Sequence, residues 1–226
     1  MISRVQISPM FSGYKSIDSK VVQPFFPGGV TVIASRPAVG KSALKANIVT
    51  RLCAAGYGVL TVTPEQGYDM EMDRIDSIYT GIPIKEIIRA YKWPEGDPRV
   101  RQILDAEKVY AQTWNFGIMP RRDVSFVDIS RKSVERVKAG KKTNVIFIDL
   151  LDRVKEVREA RQGDKANVIK QLLIAGSELA QQINGHVCFL AQILRGGVRD
   201  TEDGRPTMGW IRDSGGWEEV CDNVWL

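Results

Sequence analysis

Short apolar runs that are typical of buried strands alternate along this chain with longer segments of helical period. Parallel strands need crossover connections, so this alternation predicts an α/β fold with a mostly parallel central sheet flanked by helices. At this length one domain over residues 1–226 is expected. The predicted strands are GVTVIA (29–34), GVLTVT (58–63), FGIMP (116–120), NVIFIDLL (144–151), HVCFLAQ (186–192) and DNVWL (222–226).

Helices are predicted between most of these strands. The segment 41–55 places Leu44, Ile48, Val49 and Leu52 on one stripe, and 165–183 carries a similar apolar stripe. Two or three helices are expected between residues 67 and 113, where proline and glycine interrupt the helical pattern.

Composition excludes several classes of protein. The chain is 43% hydrophobic and 26% charged, which is typical of a globular protein with a sizeable core. It has no apolar run long enough to cross a bilayer and no secretory signal in MISRVQISPM, so a cytoplasmic protein without a membrane partner is expected. The three cysteines lie far apart and form no CxxC pair, which argues against a disulfide framework or a zinc site.

Positive charge is concentrated in one segment. The net charge is +5, and residues 120–142 hold eight basic and three acidic side chains. A nucleic-acid or other acidic partner would explain the excess, and so would a solvated helix face.

The segment SRPAVGKS (35–42) has the form of a phosphate-binding loop, although serine stands where the usual pattern begins with glycine. An apolar strand precedes it and an amphipathic helix follows, so bound phosphates would lie at a helix N-terminus. Lys41 is suited to the β- and γ-phosphates and the Ser42 hydroxyl to Mg²⁺. The predicted ATP-binding residues are Ser35, Arg36, Pro37, Ala38, Val39, Gly40, Lys41 and Ser42.

Three polar residues at strand ends suggest nucleotide hydrolysis. Asp149 ends the apolar run VIFID, where a carboxylate could hold the water shell of a metal ion. Glu65 follows the second predicted strand and would point toward the γ-phosphate if that strand lies near the first. Gln192 ends HVCFLAQ and could sense the γ-phosphate.

The order of these segments resembles the ATPase domain of bacterial and phage replicative DNA helicases of the DnaB type. The resemblance covers nearly the whole chain, from Phe11 to Leu226, and the ordered set is far more specific than any single motif. The segments that carry it are FSGYKSID (11–18), SRPAVGKS (35–42), TPEQ (63–66), VIFIDLLDR (145–153), FLAQILRG (189–196) and RPTMGWIRDSGGWEEVCDNVWL (205–226).

This resemblance implies a RecA-like P-loop NTPase core that uses ATP and Mg²⁺. It implies that Lys41 contacts phosphate, that Ser42 and Asp149 hold the metal, that Glu65 is the catalytic base, and that Gln192 is the γ-phosphate sensor. In the resembled family a loop near the end of the domain holds single-stranded DNA inside a ring. The residues implied for DNA binding are Arg195, Arg212, Asp213, Ser214 and Gly215.

The implied function is a replicative helicase motor, which couples ATP hydrolysis to translocation on single-stranded DNA and to duplex unwinding. A hexameric ring is expected, with primase or a helicase loader as further partners. Residues 1–28 are expected to form an entry segment. The family's primase-binding domain and arginine-finger hairpin are expected to be absent from 1–226, as in an excised ATPase domain or a reduced relative, so the chain alone should hydrolyse ATP weakly. A RecA-like recombination ATPase and a non-hydrolysing ATP-binding adaptor remain as alternatives.

Overall fold

A central sheet, with six parallel strands in the part of the chain that the structure describes, organises the fold. The computed structural model describes residues 10–21, 23–120, 122–193, 206–207, 209, 211 and 216–226. The strands are β1 (Val30–Ser35), β2 (Val59–Val62), β3 (Phe116–Met119), β4 (Val145–Asp149), β5 (His186–Gln192) and β6 (Asn223–Trp225). They lie in the order β3-β2-β4-β5-β1-β6, and each pairing is parallel. The predicted strand positions and the α/β fold class are confirmed.

Helices connect the strands and cover the sheet. Within the described residues they are α1 (Lys15–Asp18), α2 (Lys41–Ala54), α3 (Gly67–Thr80), α4 (Ile84–Ile87), α5 (Pro98–Thr113), α6 (Phe126–Lys138), α7 (Lys155–Glu159), α8 (Lys165–Gln182) and α9 (Trp217–Val220). Short 3-10 helices span Ala90–Lys92 and Leu151–Arg153. In the described part of the chain, no helix is long and apolar enough to span a membrane.

The helix boundaries follow from local sequence. Gly81, with φ of 77°, ends α3 in the left-handed region that favours glycine. Pro98 begins α5, and the Asp97 carboxylate caps that helix by accepting from the Arg99 N–H at 3.0 Å. These two signals divide the segment 67–113 into separate helices, as predicted.

The core has two layers, one on each face of the sheet. Alternate strand residues point to opposite faces, so Ile146 and Ile148 belong to one cluster while Val145 and Phe147 belong to the other. Helices α6 and α8 cover the first face, and α2, α3 and α5 cover the second. The predicted stripe of α2 is confirmed, because Ile48, Val49 and Leu52 are buried against the sheet.

The strand order corrects one premise of the sequence analysis. Placing Glu65 near the γ-phosphate assumed that the second strand lies near the first, but β4 and β5 lie between β2 and β1. A crossover connection can pass over one or more strands of the sheet, so the order of strands along the chain does not determine which strands pair. Glu65 therefore lies near the end of β1 because both strands end at the same edge of the sheet, and not because β1 and β2 pair directly.

The basic segment 120–142 forms a capped helix packed on the sheet. Ser125 and Asp128 form a reciprocal capping box at the start of α6. Arg136 is buried and donates to the Asn115 carbonyl oxygen at 3.2 Å, whereas Arg131 is exposed and pairs with Asp128. Among the described residues the other basic side chains are exposed, some on α6 and some in the loops beside it, whereas Arg136 ties α6 to the loop that precedes β3.

Candidate functional site

The carboxyl ends of β1, β2, β4 and β5 meet beside one cavity of about 320 Å³. Ligand sites of open parallel sheets lie at this edge, because the loops that leave the strands surround a common crevice there. The cavity is lined by Arg36, Pro37, Ala38, Gly40, Lys41, Ser42, Ala43, Glu65, Gln66, Arg74, Asp149, Leu150 and Gln192.

The loop between β1 and α2 uses two left-handed residues. Gly40 has φ of 106° and caps α2, and a Cβ added there would meet no atom of the described residues within 4 Å. Conformation rather than crowding within the chain therefore favours glycine at this position. Ala38 also has a positive φ, 64°, which the sequence did not predict. Ser35 is the last residue of β1, so an extended strand end replaces the glycine of the usual pattern.

The first turn of α2 faces the cavity and leaves backbone N–H groups available for an anion. A helix end carries unpaired N–H groups and a partial positive charge, which together favour phosphate. Lys41 turns back across the loop, with Nζ at 3.3 Å from the Ser35 carbonyl oxygen and 3.4 Å from the Ser35 hydroxyl. Burial lowers the pKa of Lys41, although Asp149, Asp152 and Glu65 act in the opposite direction.

A short hydrogen-bonded chain runs from the loop to α3. Gln66 Nε2 donates to Ser42 Oγ at 3.3 Å, and the Arg74 guanidinium donates to Gln66 Oε1 and to the Met70 carbonyl oxygen. Gln66 and Arg74 were missed by the sequence analysis. The position of Gln66 directly after Glu65 was a signal that could have identified it. Arg74 lies within a helix, and nothing in its local sequence marks it as a site residue.

Glu65 lines the cavity and is also held by a cation. Its Oε1 accepts from the Arg153 guanidinium at 3.3 Å, and both side chains are partly exposed. Pro64, Glu65, Arg122, Arg153 and Arg158 line a neighbouring cavity of about 270 Å³. Arg153 was not predicted as a site residue, and only the fold brings it to Glu65.

Asp149 and Gln192 complete the cavity from the central strands. Asp149 is 3% exposed at the end of β4, and its Oδ2 lies 3.0 Å from Lys45 Nζ. Gln192 stands opposite Ser35 in the register of β5 with β1. Both residues therefore face the loop that holds Lys41 and Ser42.

The donor set suits Mg²⁺ bound together with a nucleotide. Ser42 and Asp149 offer oxygen atoms, which Mg²⁺ prefers. Among the described residues, no group of three or more His, Cys, Asp or Glu side chains could hold a metal ion by itself. Mg²⁺ commonly completes its coordination with phosphate oxygens and water.

Most predicted nucleotide-site residues converge on this cavity. Val39 is the exception, since it is 68% exposed and does not line the cavity. Ser35 adjoins the cavity through its contacts with Lys41. The residues predicted to bind DNA lie outside the described residues, namely Arg195, Arg212, Asp213, Ser214 and Gly215.

The sequence model of the "DnaB-like helicase C terminal domain" matches residues 10–226. The chain belongs to this family. The resemblance drawn from the motifs is therefore confirmed.

Among curated relatives, a "Probable plasmid replicative DNA helicase" of Chlamydia trachomatis is 27% identical over 218 residues, covering 94% of this chain and 45% of the relative. The "Replicative DNA helicase DnaB" of Rickettsia bellii is 24% identical over 230 residues, covering 94% and 43%. The chain thus spans about half the length of the curated relatives it matches.

Two solved structures share the fold of this chain. The "ATPase Domain of G40P" aligns with a TM-score of 0.84 at 20% identity, covering 98% of this chain and 76% of that one. A "DnaB-Like Replicative Helicase", described with "Its Interactions With Primase", aligns with a TM-score of 0.81 at 20% identity, covering 96% and 52%. These alignments confirm the α/β fold with a mostly parallel sheet that the motifs led us to expect.

Proposed function

We propose that this chain is the ATPase motor domain of a replicative DNA helicase, acting in the cytoplasm. One observation carries the proposal: the phosphate-binding loop, Glu65, Asp149 and Gln192 come from four different strand ends and line a single cavity. Family membership and the names of the relatives support DNA unwinding as the use of that cavity.

The proposed chemistry is hydrolysis of the γ-phosphate of ATP. The N-terminus of α2 and Lys41 bind the phosphates, which positions them and offsets their charge. Ser42 and Asp149 would hold Mg²⁺, which would neutralise negative charge on the phosphates. Glu65 accepts a proton from the attacking water, and Gln192 contacts the γ-phosphate.

The proposed work is movement along single-stranded DNA. Gln192 ends β5 and directly precedes Ile193, the last residue before the segment that contains Arg195. Loss of the γ-phosphate would therefore remove a contact of Gln192, at the point where the chain leaves β5 toward the predicted DNA-binding residues. These residues are Arg195, Arg212, Asp213, Ser214 and Gly215. We propose that copies of the longer protein form a hexameric ring around the strand, and that primase or a loader binds that ring.

Nucleotide binding and turnover test the proposal separately. We expect Lys41→Ala to abolish binding of a fluorescent ATP analogue. We expect Glu65→Gln to keep that binding and to lower ATP turnover by about 100-fold, since general base catalysis contributes at least that much. Glu95→Gln, in an exposed loop, is the matched control and should leave both measurements unchanged.

Two results would contradict the assignment. Wild-type affinity for the analogue in Lys41→Ala would exclude this loop as the phosphate site, and wild-type turnover in Glu65→Gln would exclude Glu65 as the base. Turnover should rise when a single-stranded DNA oligonucleotide is added. If the chain binds ATP but single-stranded DNA never changes turnover, an ATP-binding adaptor explains the protein better than a motor.

A further inference from the structure

A buried lysine that belongs to none of the nucleotide-binding motifs contacts the proposed metal ligand. Lys45 lies one turn beyond Lys41 on α2, and its side chain is 0% exposed. Its Nζ is 2.8 Å from Glu71 Oε2 on α3 and 3.0 Å from Asp149 Oδ2 at the end of β4. The two carboxylate side chains are 0% and 4% exposed. The three charged groups therefore form a cluster shielded from solvent directly behind the cavity.

A purely structural role does not explain this cluster. Burying charged groups costs free energy, and an apolar pair that joined α2 to α3 would avoid that cost. The nearby positions of α2, Ile48 and Val49, carry apolar side chains that are buried in the core. The cluster also holds two carboxyl groups for one amino group. Asp149 is the member of the cluster that reaches the cavity.

The two lysines of α2 lie on the same side of the helix but have different partners. Lys41 and Lys45 are four residues apart and thus lie on the same side of the helix. Lys41 Nζ contacts the loop at Ser35, whereas Lys45 Nζ contacts Asp149 from the interior. A lysine–carboxylate contact on one oxygen limits how the carboxylate can rotate, and it leaves the other oxygen, Oδ1, for further partners.

We propose that Lys45 is a positioning residue for Asp149, which it orients toward Mg²⁺, and that Glu71 holds Lys45 in place. The inference rests on the proposed function, because it assigns Asp149 to the metal. Partners that orient a metal-site carboxylate commonly change metal affinity or activity by about 10–100-fold when they are removed. Lys45 itself contacts neither nucleotide nor metal in this scheme.

The test replaces the ion pair without changing the net charge. In the double variant Lys45→Met/Glu71→Leu, equal and opposite charges are lost and side chains of similar size fill the space. Binding of a fluorescent ATP analogue is titrated with Mg²⁺, and the same affinity is measured in EDTA. We expect the Mg²⁺ concentration at half-maximal effect to rise by about 10-fold, with unchanged affinity in EDTA.

The control variant removes a pair of the same kind elsewhere. Lys108 and Asp105 pair at 3.0 Å on the exposed face of α5, so Lys108→Met/Asp105→Leu should leave the Mg²⁺ titration unchanged. If Lys45→Met/Glu71→Leu fails to give the wild-type far-UV circular dichroism spectrum, Lys45→Gln/Glu71→Gln replaces it. Its two amides can hydrogen-bond to each other, and the shift should have the same direction.

Two results would overturn the proposal. A Mg²⁺ midpoint within twofold of the wild-type value, in a folded variant, would show that Asp149 does not need Lys45. An equal loss of affinity with Mg²⁺ and in EDTA would show that the cluster supports the phosphate-binding loop instead. Neither result touches the proposed function, which is tested separately by ATP binding, turnover and DNA stimulation of the wild-type chain.

Discussion

Replacing Lys45 alone should destabilise the protein much more than replacing its whole ion pair. The variant Lys45→Met keeps the length of the side chain but removes an ammonium that contacts Glu71 at 2.8 Å and Asp149 at 3.0 Å. Both carboxylates would then be buried without a cation. Glu71 is already incompletely satisfied, because its buried Oε1 has no hydrogen-bond partner among the described residues.

The expected size of this effect follows from that burial. Removing one partner of a buried ion pair costs about 3–5 kcal/mol, because the charge left behind is neither hydrated nor paired. For a domain of this size each kcal/mol lowers the melting temperature by about 2–4 °C. We therefore expect Lys45→Met to melt roughly 6–20 °C below the wild-type chain.

The double variant Lys45→Met/Glu71→Leu should recover most of that loss. Apolar residues of similar volume often replace a buried ion pair at little cost, although Asp149 remains without its cation here. The free energy of unfolding is measured by urea denaturation at pH 7, followed by far-UV circular dichroism. Wild type, both single variants and the double variant form a thermodynamic cycle that isolates the coupling between Lys45 and Glu71.

Either of two outcomes would refute this reasoning. A loss below about 1 kcal/mol for Lys45→Met would fall in the range of exposed pairs and would mean that water reaches the cluster. A double variant as unstable as Lys45→Met would mean that Asp149, rather than Glu71, is the carboxylate that most needs the ammonium.

Two further predictions concern backbone conformation and pH. Gly40→Ala should cost about 1–2 kcal/mol even without nucleotide, since φ there is 106°, whereas Ala38→Gly should change stability by less than about 1 kcal/mol, because relief of its positive φ is offset by chain entropy. Thermal melts of the two variants test this, and equal losses would contradict it. Burial raises the pKa of Asp76 to about 6, although the hydrogen bond from Tyr110 acts in the opposite direction. The folded state therefore binds this proton more tightly than the unfolded state, and stability falls as pH rises from about 4 to 6, by at most about 3 kcal/mol. Urea denaturation of wild type and Asp76→Asn across that range measures the effect, and a difference between them that does not vary with pH would exclude it.

Much of the candidate site could be predicted from short stretches of sequence. Asp149 and Gln192 each end an apolar strand run, and Lys41 and Ser42 begin an amphipathic helix. The carboxyl ends of parallel strands share one edge of a sheet, and residues at those ends therefore converge whatever the strand order is. This is why Glu65 reaches the cavity even though β2 and β1 are not neighbours.

Other parts of the site had no local signal. Arg74 enters the cavity from the side of α3, and Arg153 meets Glu65 from a 3-10 helix that follows β4. Charged residues at such positions are usually solvated, so their sequence context alone gave no reason to select them. The positive φ of Ala38 was equally hidden, because alanine rarely adopts that conformation.

The sequence by itself determined the α/β fold, the positions of the strands and the loop that caps α2, because each depends on residues close together in the chain. Only the tertiary structure decided the strand order and the cluster of Lys45, Glu71 and Asp149. A lysine on an otherwise apolar helix face would ordinarily be expected to reach solvent. It is buried here because the packing of α2 against α3 and β4 brings two carboxylates to it, and that packing depends on contacts between segments far apart in the chain.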